Sequence, residues 1–139
     1  MTLSPGIEKN SLVECKITAL ALGGRGVARV DGMVLFVERG LPGQRVLARV
    51  DRVKKRFAEA RTEEVLTPSP AQVEPFCPHF GVCGGCLFQD LDYAEQLRWK
   101  ARQVADSLAR IGGVADAEMR PILASPQTRA YRNKMEYAF

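Results

Sequence analysis

No stretch of this chain approaches the roughly 18 to 20 consecutive apolar residues that a membrane-spanning helix needs. Its N-terminus, MTLSPGIEKN, has neither the basic n-region nor the apolar core of a secretory leader. Both absences point to the cytosol, with no membrane partner. There is no internal repeat and no low-complexity tract, and the composition is neither fibrous nor disordered. What remains, at 46% hydrophobic and 26% charged residues over 139 positions, is an ordinary globular chain sized for one domain or two small ones. In a reducing cytosol a dense cluster of cysteines, three of the chain's four, is expected to hold metal rather than to form disulfides.

The net charge of +4 is unevenly placed. Residues 1–66 hold twelve Lys plus Arg against eight Asp plus Glu, while residues 67–139 hold eight of each. The stretch from Arg39 to Arg61 is the densest, and its strand and turn cations Arg45, Arg49, Arg52, Lys54, Lys55 and Arg56 are the candidate contacts to a polyanion. A solvated edge that keeps strands from pairing accounts for the same charge equally well.

The first half reads as strands and turns. Val13, Cys15, Ile17 and Ala19 alternate with Glu14, Lys16 and Thr18, the period of a half-buried strand. GGRG at residues 23–26 breaks it, and VARV then leads into Asp31-Gly32, a two-residue hairpin signal, before MVLFVE returns. RVLARVDRVKK and FAEARTEEVL complete a set of five strands with no helical period among them. Residues 1–66 are therefore expected to form a small Greek-key barrel of the OB type, whose open face commonly binds oligonucleotides.

Pro68, Pro70 and Pro75 mark residues 67–76 as an extended, semi-rigid linker. Farther on, Asp92 and Glu95 have the spacing of a capping box. Leu97, Ala101, Val104, Leu108 and Ile111 then follow at helical spacing, so an amphipathic helix is expected to bury that stripe and stop at Gly112-Gly113. Tyr93 and Trp99 lie off the stripe, where they are expected to pack against the preceding cysteine loop.

That loop, FCPHFGVCGGC, carries Cys77, Cys83 and Cys86 in a C-x5-C-x2-C spacing. Three thiolates on one short loop bind one face of a metal centre, and Gly84 and Gly85 let the backbone fold tightly beneath them. A four-ligand site needs one more donor. His79 and Cys15 are the alternatives within the chain, although Cys15 reads as a small core residue and His79 as a loop residue. On spacing alone, zinc and an iron-sulfur centre stand level.

Three stretches together, GGRGVARVDGMVLFVERGLPGQRV, VLTPSPAQVEPFCPHFGVCGGCLFQDLDYAEQLRWK and ILASPQTRAYRNKMEYAF, closely resemble the N-terminal region of bacterial 23S rRNA and tRNA (uracil-C5)-methyltransferases. The resemblance implies a TRAM domain, an OB-like RNA-binding barrel, in the first 66 residues. It implies that Cys77, Cys83 and Cys86 are three of the four ligands of a [4Fe-4S] cluster whose fourth cysteine lies far downstream. It further implies an RNA partner, rRNA before tRNA, with S-adenosylmethionine (SAM) used only by the full-length enzyme. By the same resemblance these 139 residues are expected to hold no catalytic residue, since the glycine-rich SAM site, the nucleophilic cysteine and the general base of such enzymes lie farther downstream. Residues 77–113 are thus expected to form the cluster loop and helix of a monomeric protein. Residues 114–139 would begin a truncated catalytic region. In that segment Tyr131, Met135, Tyr137 and Phe139 alternate as in a strand, with Arg129, Arg132 and Lys134 as further candidate RNA contacts.

Overall fold

The computed structural model describes residues 6–134 and 136. Its first half is a six-stranded sheet: β1 (Leu12–Lys16), β2 (Ala19–Leu20), β3 (Gly26–Val30), β4 (Met33–Glu38), β5 (Arg45–Val53) and β6 (Phe57–Thr67). One helix follows, α1 (Tyr93–Arg110). The strands run in the order β1-β5-β6-β4-β3-β2, every pair antiparallel except β4 with β6.

The mainly β architecture with a following helix is the expected one; the sixth strand is the difference, and its origin is local. The stretch anticipated as one strand bends at Ile17 and Thr18. The Ile17 N-H donates to Gln44 O (2.9 Å), whereas the next N-H, of Thr18, donates to Val27 O (2.8 Å). The chain therefore leaves β5 and joins β3 within one residue. β1 and β2 are the two arms of one bent strand, and they close the sheet on itself as a barrel. Counted that way, the barrel has the expected five strands, in the connectivity of an OB-like fold.

The register follows from one-sided alternation. Val13, Cys15, Ile17, Ala28, Leu35, Val37, Val46, Ala48, Val50, Ala58 and Ala60 fill the barrel interior, every one from residues 13–60. The β3–β4 turn takes positive φ at both central residues, Asp31 (50°) and Gly32 (81°), as a two-residue hairpin of matching twist requires.

α1 begins at Asp92, whose carboxylate accepts from the Ala94 N-H at 3.1 Å. The reciprocal half of the expected capping box is absent, because Glu95 pairs with Arg98 (3.0 Å) and the Asp92 N-H donates to Ala71 O instead. The C-terminal end is as anticipated: Gly113 takes φ 68° and the Val114 N-H reaches back to Leu108 O.

The buried face of α1 differs from the apolar stripe. Trp99 is the buried residue, packed with Leu20, Leu41 and Leu91 against the barrel rather than against the cysteine loop. One turn on either side, Gln96 Nε2 donates to Phe88 O and Leu91 O, and Gln103 Nε2 donates to Leu20 O and Ala21 O. Those amides seek carbonyls left open at a strand end and a loop, which fixes the docking face. Val104 and Ile111 of the stripe stay 52% and 84% exposed. Tyr93 Oη accepts from the Ser125 N-H.

Residues 67–76 run pinned along the barrel. Ser69 Oγ donates to Pro42 O, Gln44 Nε2 donates to Gln72 Oε1 and the Val73 N-H donates to Asp90 O. Residues 129–134 form no strand, and Met135, Tyr137 and Phe139 lie outside the described residues. Among the described residues, no helix is long and apolar enough to cross a membrane.

Candidate nucleic-acid interface and cysteine loop

The barrel sorts its cations into two groups. Arg45 pairs with Glu14 across the β1–β5 ladder. Arg49 makes a two-pronged contact with Glu63 at 3.0 and 3.2 Å. That hydrogen bond draws the Glu63 carboxylate below its usual range and pushes Arg49 up. These two expected contacts therefore sit on the β1–β5–β6 face with their charge already matched.

The second group lies at the tip of the β5–β6 hairpin. Lys54, Lys55 and Arg56 are exposed and, among the described residues, have no ion-pair partner. The Lys54 N-H donates to Phe57 O (2.8 Å), so the tip is a tight turn that holds three adjacent cations together. Arg52 stands close by, 4.0 Å from Glu59, a carboxylate shared with Arg25 at 3.1 Å. Arg29 on β3 is also exposed, again without an ion-pair partner among the described residues. Three like charges on one turn make a locally positive surface.

Between Arg29 and the tip lies a feature that the charge pattern does not announce. Phe36 on β4 and Phe57 on β6 touch edge to face, with ring centroids 5.4 Å apart at 78°. Both are half-buried and lie on the outward side of strands whose inward residues are Leu35, Val37, Ala58 and Ala60. The sequence does carry a signal for them. In MVLFVE the outward positions Val34 and Phe36 are apolar, where a strand with one solvated face would show polar residues.

Arg132 and Lys134 are elsewhere. Arg132 donates to Gly85 O (2.9 Å), Arg129 lies over the Phe76 ring at 4.2 Å and Lys134 pairs with Glu136 (2.7 Å). The first two embrace the cysteine loop and do not join the cationic face of the barrel. From the other side, Arg39 Nη1 donates to Gly81 O at 3.0 Å. A cavity of about 240 Å³ separates the loop from the barrel, lined in part by Gly24, Arg25, Arg39, Phe80, Cys86 and Asp90. Burial raises the Asp90 carboxyl above its ordinary range.

All four thiols are free. Cys77 is half-buried, Cys83 and Cys86 are exposed, and His79 is exposed on the same loop. Soft thiolates on a glycine-bearing loop suit zinc or an iron-sulfur centre in kind. Among the described residues, no three His, Cys, Asp or Glu side chains are already gathered around one point.

Cys15 is no candidate for the missing donor. It is 6% exposed in the barrel core, and burial, aided by Glu14, pushes its thiol from 9.0 up to about 11. A thiol-specific reagent at neutral pH should therefore label three cysteines in the folded, metal-free chain, with Cys15 reacting only on unfolding; four fast-reacting thiols would place Cys15 outside the core. The raised value also fixes the sign of its pH dependence. The contribution of Cys15 to stability is complete below 9.0 and is lost as pH climbs toward about 11, because only the unfolded chain gives up the proton in that interval.

Comparison with known proteins agrees with this architecture. The TRAM domain family matches residues 8–62. An uncharacterized RNA methyltransferase of Nitratidesulfovibrio vulgaris is 50% identical over 127 residues, which are 91% of this chain and 27% of that protein. Another, of Porphyromonas gingivalis, is 47% identical over 124 residues, 89% of this chain and 27% of that protein. The 23S rRNA (uracil(1939)-C(5))-methyltransferase RlmD of Bordetella avium is 48% identical over 117 residues, 84% of this chain and 24% of that protein. The chain spans about a quarter of the length of these curated relatives.

Proposed function

From a chain that corresponds to the TRAM-bearing N-terminal portion of RlmD-like RNA methyltransferases, we propose that these residues grip RNA for a SAM-dependent uracil-C5 methylation performed elsewhere in the protein. Ribosomal RNA is the first substrate class and tRNA the second, and the site of action is the cytoplasm. The observation that carries this reading is the hairpin tip, where Lys54, Lys55 and Arg56 stand together, exposed and without a carboxylate partner, on a barrel of OB-like connectivity.

The chemistry explains why a separate grip is needed. Uracil C5 is a weak nucleophile, so a cysteine of the catalytic part must add to C6 before C5 can take a methyl group, and a base must then remove the C5 proton. The target base has to leave its stack to reach that cysteine. An enzyme that pulls one base out must hold the neighbouring backbone while it does so. Phosphates on the barrel's cations supply that hold and require no sequence preference.

In the same proposal Cys77, Cys83 and Cys86 supply three ligands of a [4Fe-4S] cluster, with the fourth from outside these 139 residues. When bound, such a group would cross-link the loop; methyl transfer from SAM moves no electrons and gives it no redox task. The support is the donor set. Three accessible thiols lie on a loop held at Gly81 and Gly85 by Arg39 and Arg132. Iron and acid-labile sulfide measured together in protein purified without oxygen test this. Near-equal iron and sulfide with broad visible absorption are expected, and zinc without sulfide would replace the cluster with a structural zinc site. Cys86→Ser is expected to abolish metal retention and leave the barrel folded, because no residue of the barrel core comes from beyond Ala60. Loss of the barrel's melting transition in that variant would show that the two parts fold as one.

A further inference from the structure

One arginine of the barrel stands in a backbone conformation that costs the barrel stability. Asn10 and Asp31 have positive φ, 70° and 50°, and are types that tolerate the left-handed region. Arg39, directly after β4, takes φ 61° and is not such a type. The backbone passes tightly over the core at this point, where a Cβ on Gly40 would lie 3.0 Å from Ile17 Cδ1, so the bend belongs to the barrel. The arginine does not, since glycine would take the same bend without strain.

What the arginine adds lies in the cysteine loop. Its Nη1 donates to Gly81 O at 3.0 Å, and its guanidinium stands 6.0 Å from the centre of the Phe80 ring, the outer limit of a cation–π contact. Gly81 leaves the space for it: a Cβ there would fall on the guanidinium, 2.7 Å from Arg39 Cζ. The loop's own hydrogen bonds, from the Phe80 N-H to Cys77 O and from the Val82 and Cys83 N-H groups to His79 O, close single turns and tie it to nothing else. Among the described residues, the hydrogen bonds that reach residues 78–86 from outside the loop come from Arg39 and Arg132. We infer that Arg39 is a latch between the barrel and the cysteine loop, a positioning residue whose guanidinium fixes the loop through Gly81 and slows the loss of metal from Cys77, Cys83 and Cys86. The effect on metal rests on the cluster proposed above, whereas the hold on the loop does not.

Arg39→Gly separates a latch from a structural part of the barrel, because relief of strain and loss of the loop contact act in opposite directions. In the metal-free chain, amide hydrogen exchange at Val82 and Cys83 is expected to run about fivefold faster, the effect of one lost side-chain hydrogen bond. The barrel should melt at or slightly above the wild-type temperature. Exchange at the wild-type rate, or a melting temperature that falls together with the loop's protection, would overturn the inference. Gly81→Ala attacks the same contact from the loop side by expelling the guanidinium, and carries its own backbone cost at φ 85°. Its effect on exchange should therefore be smaller in the Arg39→Gly background than in the wild type, and equal effects in both would also overturn the latch. In protein loaded with iron and sulfide without oxygen, a chelator is expected to strip Arg39→Gly about fivefold faster than the wild type. Equal stripping rates would overturn the positioning role. A wild-type chain that takes up no metal would remove the cluster reading instead, and exchange and melting would then decide the latch by themselves.

Discussion

Replacing Lys54, Lys55 and Arg56 together by glutamine is expected to lower RNA affinity about a hundredfold at roughly 0.1 M salt. Each phosphate contact releases condensed counterions and contributes about 0.7 to the slope of log affinity against log salt on a single strand, so three contacts contribute about two. If the remaining contacts are untouched, the wild-type and variant lines meet near 1 M salt, and the hundredfold gap at lower salt follows from that slope. The substitution should leave folding intact, because the three side chains are exposed and outside the core. An unchanged slope would mean that the tip faces away from the RNA. Arg45→Gln and Arg49→Gln offer the contrast. Each already faces a glutamate that matches its charge, so each loss should be several times smaller than that of the triple variant.

The largest effect on stability is expected from Gly26→Ala. A Cβ at Gly26 would lie 2.6 Å from Gly40 O and 2.8 Å from Ile17 Cγ2. The first neighbour is backbone, and the second belongs to a side chain at 0% exposure, so neither has room to yield. Gly26 also pairs with Leu20 of β2 on one side and Val37 of β4 on the other, so a shift there would disturb two ladders. A loss of about 3 kcal/mol is expected, at the upper end for overpacking. In a thermal melt that corresponds to a drop of roughly 12–24 °C for a barrel of this size. Gly6→Ala, with nothing within 4 Å of the added carbon, is the matched control and should melt with the wild type.

The barrel was legible in the sequence because its strands alternate one-sidedly and its hairpin turn uses a dipeptide with few other roles. The bend at Ile17 and Thr18 was not, since a period of two continues straight through it while the hydrogen-bond partner changes from Gln44 to Val27. The docking face of α1 was hidden for a different reason. Gln96 and Gln103 are polar, and their contribution is to satisfy carbonyls outside the helix, which hydrophobic periodicity does not register. The cysteine spacing was plain, and so was the dense charge from Arg39 to Arg61. The division of that charge into matched arginines and an unmatched tip depended on Glu14 and Glu63, which only pairing between strands brings to Arg45 and Arg49.

The bent first strand has a consequence for how the protein is made. Residues Leu12–Lys16 leave the ribosome before Arg45–Arg49, the stretch of β5 they pair with. At a synthesis rate of roughly 5–20 residues per second that partner follows some seconds later, and in the interval the nascent strand has nothing to pair with. Its exposed positions are Leu12, Glu14 and Lys16, and the two charged ones keep the waiting strand hydrated. One arm of the strand that closes the barrel thus waits, hydrated, until β5 arrives.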